Sequence, residues 1–240
     1  MTYETQNGTF RLTNLTDEPQ DYLAAREKLR VAEVQLMHQR ERVAAMRREL
    51  PKGAKVKDYE FLEGPRDLDA GDTPVSTVRL SELFTSPDRP LIIYQLMYGK
   101  KNTKPCPMCT MWVDGINGIA HHVGQRADLV IIAAADPKAW RAWARERGWR
   151  NVRLVSAGDS TFKWDFGGEN KGGGQDSTLN VFTKDADGAI RHFYTAHPTM
   201  APDIKERGVD PFTPVYNLLD VTPQGRGDWY ASLAYGAAKT

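Results

Sequence analysis

The chain has 240 residues, of which 40% are hydrophobic, 26% are charged and 10% are aromatic, and its formal net charge is +1 at pH 7. A chain of this length buries a sizeable core, and this composition excludes a wholly disordered or fibrous protein. The chain lacks the basic excess of nucleic-acid-binding proteins and the apolar run of ~20 residues that a membrane span requires, so we expect neither nucleic acid nor a membrane as a partner.

The N-terminal residues give no signal for export. Residues 1–16 are polar, carry Glu4 and Arg11, and lack the apolar stretch of a secretory signal. We therefore expect a cytoplasmic protein. Because that compartment is reducing, the two cysteines, Cys106 and Cys109, are not expected to form a structural disulfide.

The first predicted element is a long helix from Pro19 to Leu50, because this stretch is rich in helix-forming residues and is followed by Pro51 and Gly53. Its apolar residues alternate spacings of three and four, which is the seam of a coiled coil, and only Gln39 interrupts it. Such a seam packs either against helices of its own domain or against a second copy of the chain. We expect a helical arm over residues 1–52 that can form a homodimer.

Residues 53–240 are expected to form one α/β domain, because short apolar runs alternate with helical patterns. The run Leu91–Met97 is continuously apolar, which is typical of a strand that is covered on both faces. The order of elements predicts a mixed β-sheet with helices on both faces. Predicted strands cover residues 58–62, 76–80, 91–97, 128–134, 179–183 and 189–194, and predicted helices cover residues 107–126, 137–148 and 210–219.

The motif Cys106-Pro107-Met108-Cys109 follows the predicted strand 91–97 and begins the predicted helix 107–126. Proline favours the first helical position, so Cys106 is expected at the N-cap and Cys109 in the first turn. The helix N-terminus stabilises a thiolate and lowers a cysteine pKa from ~8.5 to ~3.5–7.5. We therefore predict that Cys106 is the nucleophile and that Cys109 resolves the mixed disulfide that Cys106 forms.

A metal site is the alternative interpretation of this motif, with a soft ion such as Cu(I) or Zn(II) at Cys106 and Cys109. The two following histidines, His121 and His122, are adjacent and lack the spacing of a zinc finger. In a helix, Cys106 and His121 stand about 22 Å apart and cannot share one ion. Apart from this alternative, we expect no cofactor.

The order of strand, C-P-x-C motif, helix, strand, helix and hairpin resembles the thioredoxin fold. More closely, nearly the whole chain is similar to the bacterial family called domain of unknown function 899, whose members are thioredoxin-like proteins with a long N-terminal helix. The motifs that carry this resemblance are Leu50-Pro51, Lys57 to Phe61, Leu91 to Met97, Cys106 to Trp112, Asp114 to Gly118, Trp164 to Gly167 and Tyr216 to Asp220.

The resemblance implies a dithiol that faces a substrate-binding segment. Thioredoxins place a cis-proline before the strand that faces their dithiol, whereas this chain has Asp176 or Ser177 there. Where thioredoxins bury an acid behind the site, this chain has Gln95, which is a poor proton relay. We expect the substrate to contact Pro107, Met108, Ser177 and Thr178.

These features together predict a thiol-disulfide oxidoreductase that acts on a protein or small-molecule disulfide or thiol. The alternatives are a metal-binding dithiol protein and a non-catalytic thioredoxin-like scaffold. Only a non-catalytic scaffold would keep its function when both cysteines are changed to serine.

Overall fold

The structure is a computed structural model that describes residues 5–6, 9–10, 13–204 and 207–235. The chain forms two compact units, residues 1–51 and residues 52–240. In the first unit, β1 (Thr5–Gln6) pairs with β2 (Thr9–Phe10), and α1 spans Gln20–Arg48. The predicted long helix is thus present, starting after Pro19. No residue of α1 is buried, and ion pairs such as Arg26 with Glu33 lie on its surface.

We predict that replacing Leu29 and Leu36 together by glutamate converts a dimeric full-length protein to a monomer. Both residues belong to the apolar seam of α1, which would be buried between the two helices of a dimer. A charge buried there would destabilise the dimer. Light scattering on the full-length protein measures the result. The control pair Val31→Glu and His38→Glu adds similar charge away from the seam and should leave the dimer intact. A monomeric wild-type protein would contradict the prediction.

The second unit is built on one seven-stranded mixed sheet with the order β4-β3-β7-β6-β5-β8-β9. Its strands are β3 (Glu60–Glu63), β4 (Ser76–Arg79), β5 (Leu91–Gln95), β6 (Asp128–Ala133), β7 (Arg153–Ser156), β8 (Thr178–Lys184) and β9 (Ile190–Ala196). β5, β6 and β7 are parallel, and the other pairings are antiparallel. The expected α/β fold with a thioredoxin-like mixed sheet is confirmed.

The α-helices in the described part of this unit are α2 (Pro107–Val123), α3 (Pro137–Arg147), α4 (Phe162–Asp165) and α5 (Val215–Asp220). The strand order advances in one direction from β5 through β6 to β7, so the crossover helices α2 and α3 lie on the same face. Trp112 of α2 and Trp140 of α3 belong to the core of that face, whereas Phe162 of α4 belongs to the core of the other face. Within the described residues, no helix has the length and apolar character needed to cross a membrane.

Several elements differ from the sequence-based expectation, which did not include the short elements β1, β2 and α4. Strand β7 was not predicted, because four residues are too few for periodicity to separate a strand from a loop. The predicted terminal helix 210–219 is instead a 3-10 helix, Arg207–Phe212, followed by α5. Pro214 separates them, since proline lacks the N–H that a continuous helix requires and restricts the residue before it.

Candidate active site

The two cysteines lie where the chain leaves β5 and begins α2. The Cys106 N–H donates to Met97 O at 3.0 Å, which brings the connecting loop back to the end of the strand. Cys106 is the N-cap of α2 with extended backbone (φ −60°, ψ 131°), and Pro107 takes the first helical position. Both thiols are free, Cys106 is half-buried, and Cys109 is only 1% exposed.

The surroundings of Cys106 favour its thiolate. A hydrogen bond from the Cys109 thiol is the largest contribution, and the backbone N–H groups of Cys109 and Met108 and the Tyr230 hydroxyl act in the same direction. Partial burial opposes them. Together these groups lower the pKa of Cys106 to about 6, so that its sulfur is mostly ionised at pH 7.

The surroundings of Cys109 favour its neutral thiol. Burial, and then the hydrogen bond and charge of Cys106, raise the pKa of Cys109 well above its ordinary value, whereas Tyr94 and the Met97 N–H oppose this rise. The Tyr94 hydroxyl is buried beside Cys109 and Ser177, without a hydrogen bond of standard geometry to either. The dithiol is therefore asymmetric, with an accessible thiolate above a buried thiol.

A segment near the C-terminus, residues 229–231, covers the dithiol. The Tyr230 hydroxyl lies 3.7 Å from the Cys106 sulfur, and the Ala231 N–H donates to the Met108 sulfur at 3.2 Å. The Trp229 ring packs edge-on against Tyr216 of α5, with 6.1 Å between ring centroids. Tyr230 carries no signal in the sequence, because more than a hundred residues separate it from the motif that it contacts and no local pattern marks it.

The structure brings three of the four expected substrate-binding residues close to the dithiol. Pro107 is half-buried beside Cys106, Met108 lies beneath Ala231, and Ser177 is buried next to the Tyr94 hydroxyl. The Thr178 side chain is on the other face of the sheet, since successive residues of a strand alternate between faces.

Thr178 serves a buried hydrogen-bond network instead. Its hydroxyl donates to Phe166 O at 3.1 Å and accepts hydrogen bonds from Gln95 Nε2 at 2.9 Å and from Asn180 Nδ2 at 2.8 Å. Gln95 is fully buried and lies on this same face, opposite to Tyr94. The structure therefore does not place Thr178 or Gln95 at the sulfur atoms.

A buried cation lies at the carboxyl end of β5. Lys163 of α4 is only 1% exposed, and its Nζ donates to Leu96 O at 3.2 Å. Burial lowers the pKa of Lys163 to about 8, while the nearby Cys109, Glu169 and Asp176 oppose this shift. This residue could not be recognised from the sequence, because a single lysine in a short segment carries no pattern that predicts burial.

Two histidines of the second unit lie away from the dithiol sulfurs, and a third pairs with a carboxylate. His121 and His122 are in the last turn of α2, at the opposite end of that helix from Cys106. His197 hydrogen-bonds through Nε2 to Asp176 at 3.0 Å and accepts from the Thr199 N–H at Nδ1. Across the described ranges, no group of three or more His, Cys, Asp or Glu side chains could surround one ion.

We predict that the alkylation rate of Cys106 rises with pH to a midpoint near 6 and then stays constant. The thiolate is the reactive form, and pH 5 lies below the Cys106 pKa of about 6. The rate at pH 5 should therefore be about tenfold lower than the plateau. Tyr230→Phe removes one hydrogen bond to the thiolate and should move the midpoint up by about half a unit to one unit. The pH dependence of iodoacetamide labelling at Cys106 measures both, and an unchanged midpoint would show that Tyr230 does not act on the thiolate.

Comparison with known proteins identifies the chain by family. The family model described as "Bacterial protein of unknown function (DUF899)" matches residues 12–236. No curated protein matches the chain.

Solved structures that resemble this one include a peroxidoxin, a 1-Cys peroxiredoxin and a protein named AhpC. Peroxidoxin BcpB from Mycobacterium tuberculosis has 20% sequence identity and a TM-score of 0.46, covering 68% of this chain and 94% of its own. The 1-Cys peroxiredoxin of Plasmodium falciparum has 12% identity and a TM-score of 0.47, covering 62% and 85%. AhpC from Enterococcus faecalis has 11% identity and a TM-score of 0.46, covering 67% and 87%.

Proposed function

The chain belongs to the DUF899 family of bacterial proteins, whose description assigns no activity, and we propose that it is a thiol-disulfide oxidoreductase. The observation that carries the proposal is the asymmetry of the dithiol. Cys106 sits half-buried at a helix N-terminus with a pKa lowered to about 6, and Cys109 lies buried one turn further along. A nucleophile at the surface and a second thiol beneath it are what two-step disulfide exchange requires.

The reaction proceeds by two exchanges at sulfur. The Cys106 thiolate attacks a substrate disulfide R–S–S–R′, forms a bond to one sulfur and releases R′–S⁻, which takes a proton from water. Cys109 then loses its proton and attacks the Cys106 sulfur, so that R–S⁻ leaves and is protonated. The substrate disulfide is reduced, and the Cys106–Cys109 disulfide forms. Cellular dithiols of the cytoplasm, which we propose as its location, reduce the protein again.

Substrates of this reaction must reach Cys106 beside Tyr230. The covering segment, residues 229–231, contacts both Cys106 and Met108, so a bulky substrate displaces it whereas a small disulfide passes it. We propose that Pro107, Met108 and Ser177 line the path of the substrate, because Pro107 and Met108 follow Cys106 directly in the chain and Ser177 lies next to the Tyr94 hydroxyl, which is itself beside Cys109. Thr178 is excluded from this path by its position on the other face of the sheet.

The test is to mix the reduced protein with oxidised glutathione and with insulin. We expect mass spectrometry to detect the loss of two hydrogens as the Cys106–Cys109 disulfide forms, and insulin reduction to proceed with dithiothreitol as the reductant. The double variant Cys106→Ser and Cys109→Ser should show neither. A wild-type protein that forms no intramolecular disulfide would overturn the proposal.

The same preparation tests the metal alternative. Two adjacent sulfurs suit a soft ion, Cu(I) above all, because this ion accepts two thiolate ligands. Elemental analysis of the reduced protein should find no stoichiometric copper or zinc if disulfide exchange is the function. About one ion per chain that disappears in the double serine variant would assign the dithiol to metal binding instead.

A further inference from the structure

Lys163 is an unusual residue to bury, and its surroundings indicate what it does. Its side chain passes from α4 into the interior and is almost completely enclosed. An ammonium group that leaves water loses its hydration, so an apolar residue of similar length would be less costly at this position. Its Nζ donates a hydrogen bond to Leu96 O at 3.2 Å.

The peptide group that accepts this hydrogen bond also faces the dithiol. Leu96 C=O and Met97 N–H belong to one peptide unit, and the Met97 N–H is one of the groups that favour the thiolate of Cys109. The amine and the sulfur therefore lie at the two ends of the same peptide group. A cation at the carbonyl end polarises the group and strengthens its N–H as a donor, because hydrogen bonds in a chain reinforce one another.

We propose that Lys163 is a positioning residue that acts through the Leu96–Met97 peptide group to stabilise the thiolate of Cys109. The inference deepens the proposed function and rests on it. It concerns the second exchange, in which the buried thiol of Cys109 must ionise before it attacks. In this exchange Cys109 gives its proton to water, a bond forms between the Cys109 and Cys106 sulfurs, and R–S⁻ leaves Cys106 with the electron pair and takes up a proton.

Other charged groups near the amine come from three elements. Glu169 and Asp176 lie on the segment between α4 and β8, and Asp176 also pairs with His197 after β9. Cys106 and Cys109 lie on α2, and Tyr94 reaches Cys109 from β5. The two carboxylates favour the charged form of Lys163, so the ammonium is retained at pH 7 although burial lowers its pKa to about 8. Above that pH the amine becomes neutral and the polarisation of the peptide group is lost.

The experiment follows thiolate release when reduced protein is mixed rapidly with 5,5′-dithiobis(2-nitrobenzoate) at pH 7. Attack by Cys106 releases one thionitrobenzoate in a first phase, and attack by Cys109 on the mixed disulfide releases the second. We expect Lys163→Met to slow the second phase about 10-fold to 50-fold and to change the first phase less than about twofold. Lys163→Arg keeps the charge and should restore most of the second-phase rate.

Two further variants keep the result unambiguous. Lys100→Met makes the same chemical change at an exposed lysine that pairs with Asp159, and it should leave both phases unchanged. Lys163→Gln keeps a donor for Leu96 O without the charge, and it replaces Lys163→Met if that variant does not fold. The pH profile adds a readout that a purely structural role would not change. In Lys163→Met and Lys163→Gln, the rate of the second phase should reach its midpoint at a higher pH than in the wild type.

An unchanged second phase in folded Lys163→Met or Lys163→Gln overturns the role of Lys163 and leaves the oxidoreductase proposal standing. A wild-type protein that shows the first phase without the second overturns both proposals. Slowing of both phases to the same extent also overturns the inference, because Lys163 would then act on the fold of the site rather than on Cys109.

Discussion

Replacing Cys109 by serine should accumulate a stable mixed disulfide at Cys106, whereas replacing Cys106 by serine should give a protein that traps nothing. The half-buried Cys106 is about nine-tenths ionised at pH 7 because its pKa is lowered to about 6. The buried Cys109 stays protonated because burial raises its pKa well above the ordinary value. At pH 7 we expect iodoacetamide to label Cys109→Ser about 10-fold to 100-fold faster than Cys106→Ser.

Mass spectrometry after exposure to oxidised glutathione measures the trapped adduct, and timed alkylation gives the two rates. The double serine variant sets the background for both. Denatured samples of the two single variants serve as a second control, since both thiols should react alike when the fold is lost. Equal rates in the folded variants, or the reverse order, would contradict the assignment of nucleophile and resolving cysteine.

Arg141→Met should lower the free energy of unfolding by about 3–5 kcal/mol, the largest loss of stability that we predict. The Arg141 side chain is 4% exposed and donates to Pro65 O, to Asp67 O at 3.0 Å and to Gly71 O at 2.6 Å. It also pairs with Asp72 at 3.2 Å. Its removal takes several hydrogen bonds at once from the partly exposed segment Pro65 to Asp72, and hydrogen bonds to a charged group contribute more than typical ones.

Arg150→Met is the matched control for this substitution. The Arg150 side chain is 53% exposed and pairs with Asp69 at 3.0 Å, so its removal should cost at most about 1 kcal/mol. Denaturant unfolding followed by tryptophan fluorescence measures both variants. A loss at Arg141 no larger than that at Arg150 would show that the segment from Pro65 to Asp72 does not depend on the guanidinium group.

The amino-acid sequence alone was sufficient for features that depend on neighbours in the chain. A run of apolar residues that continues from Leu91 to Met97 predicts a strand covered on both faces, and β5 lies between β6 and β8 in the sheet. Cys106 followed by Pro107 predicts a helix start, and α2 begins at that proline. These predictions held because capping, proline geometry and periodicity act over a few residues.

Local sequence patterns predicted the structure less well where one local signal opposes another or where an element is very short. The helix predicted over residues 210–219 has favourable residues, but Pro214 interrupts it and the interruption decides where α5 begins. The four residues of β7 are too short to show a period, and this strand forms because it pairs with the parallel strand β6. Both differences concern elements near the limit of length at which sequence patterns are informative.

The tertiary structure alone decided which distant residues meet the dithiol. Tyr230 contacts Cys106, and Lys163 reaches the peptide group behind Cys109, yet neither residue belongs to a motif. Thr178 was expected at the site, but the alternation of side chains along β8 directs it to the other face of the sheet. The sequence by itself predicted that Cys106 stands at a helix N-terminus, where the backbone N–H groups favour a thiolate. The surroundings of Cys106 and Cys109 could be known only from the fold, because burial and contacts between distant residues exist only after the chain has packed.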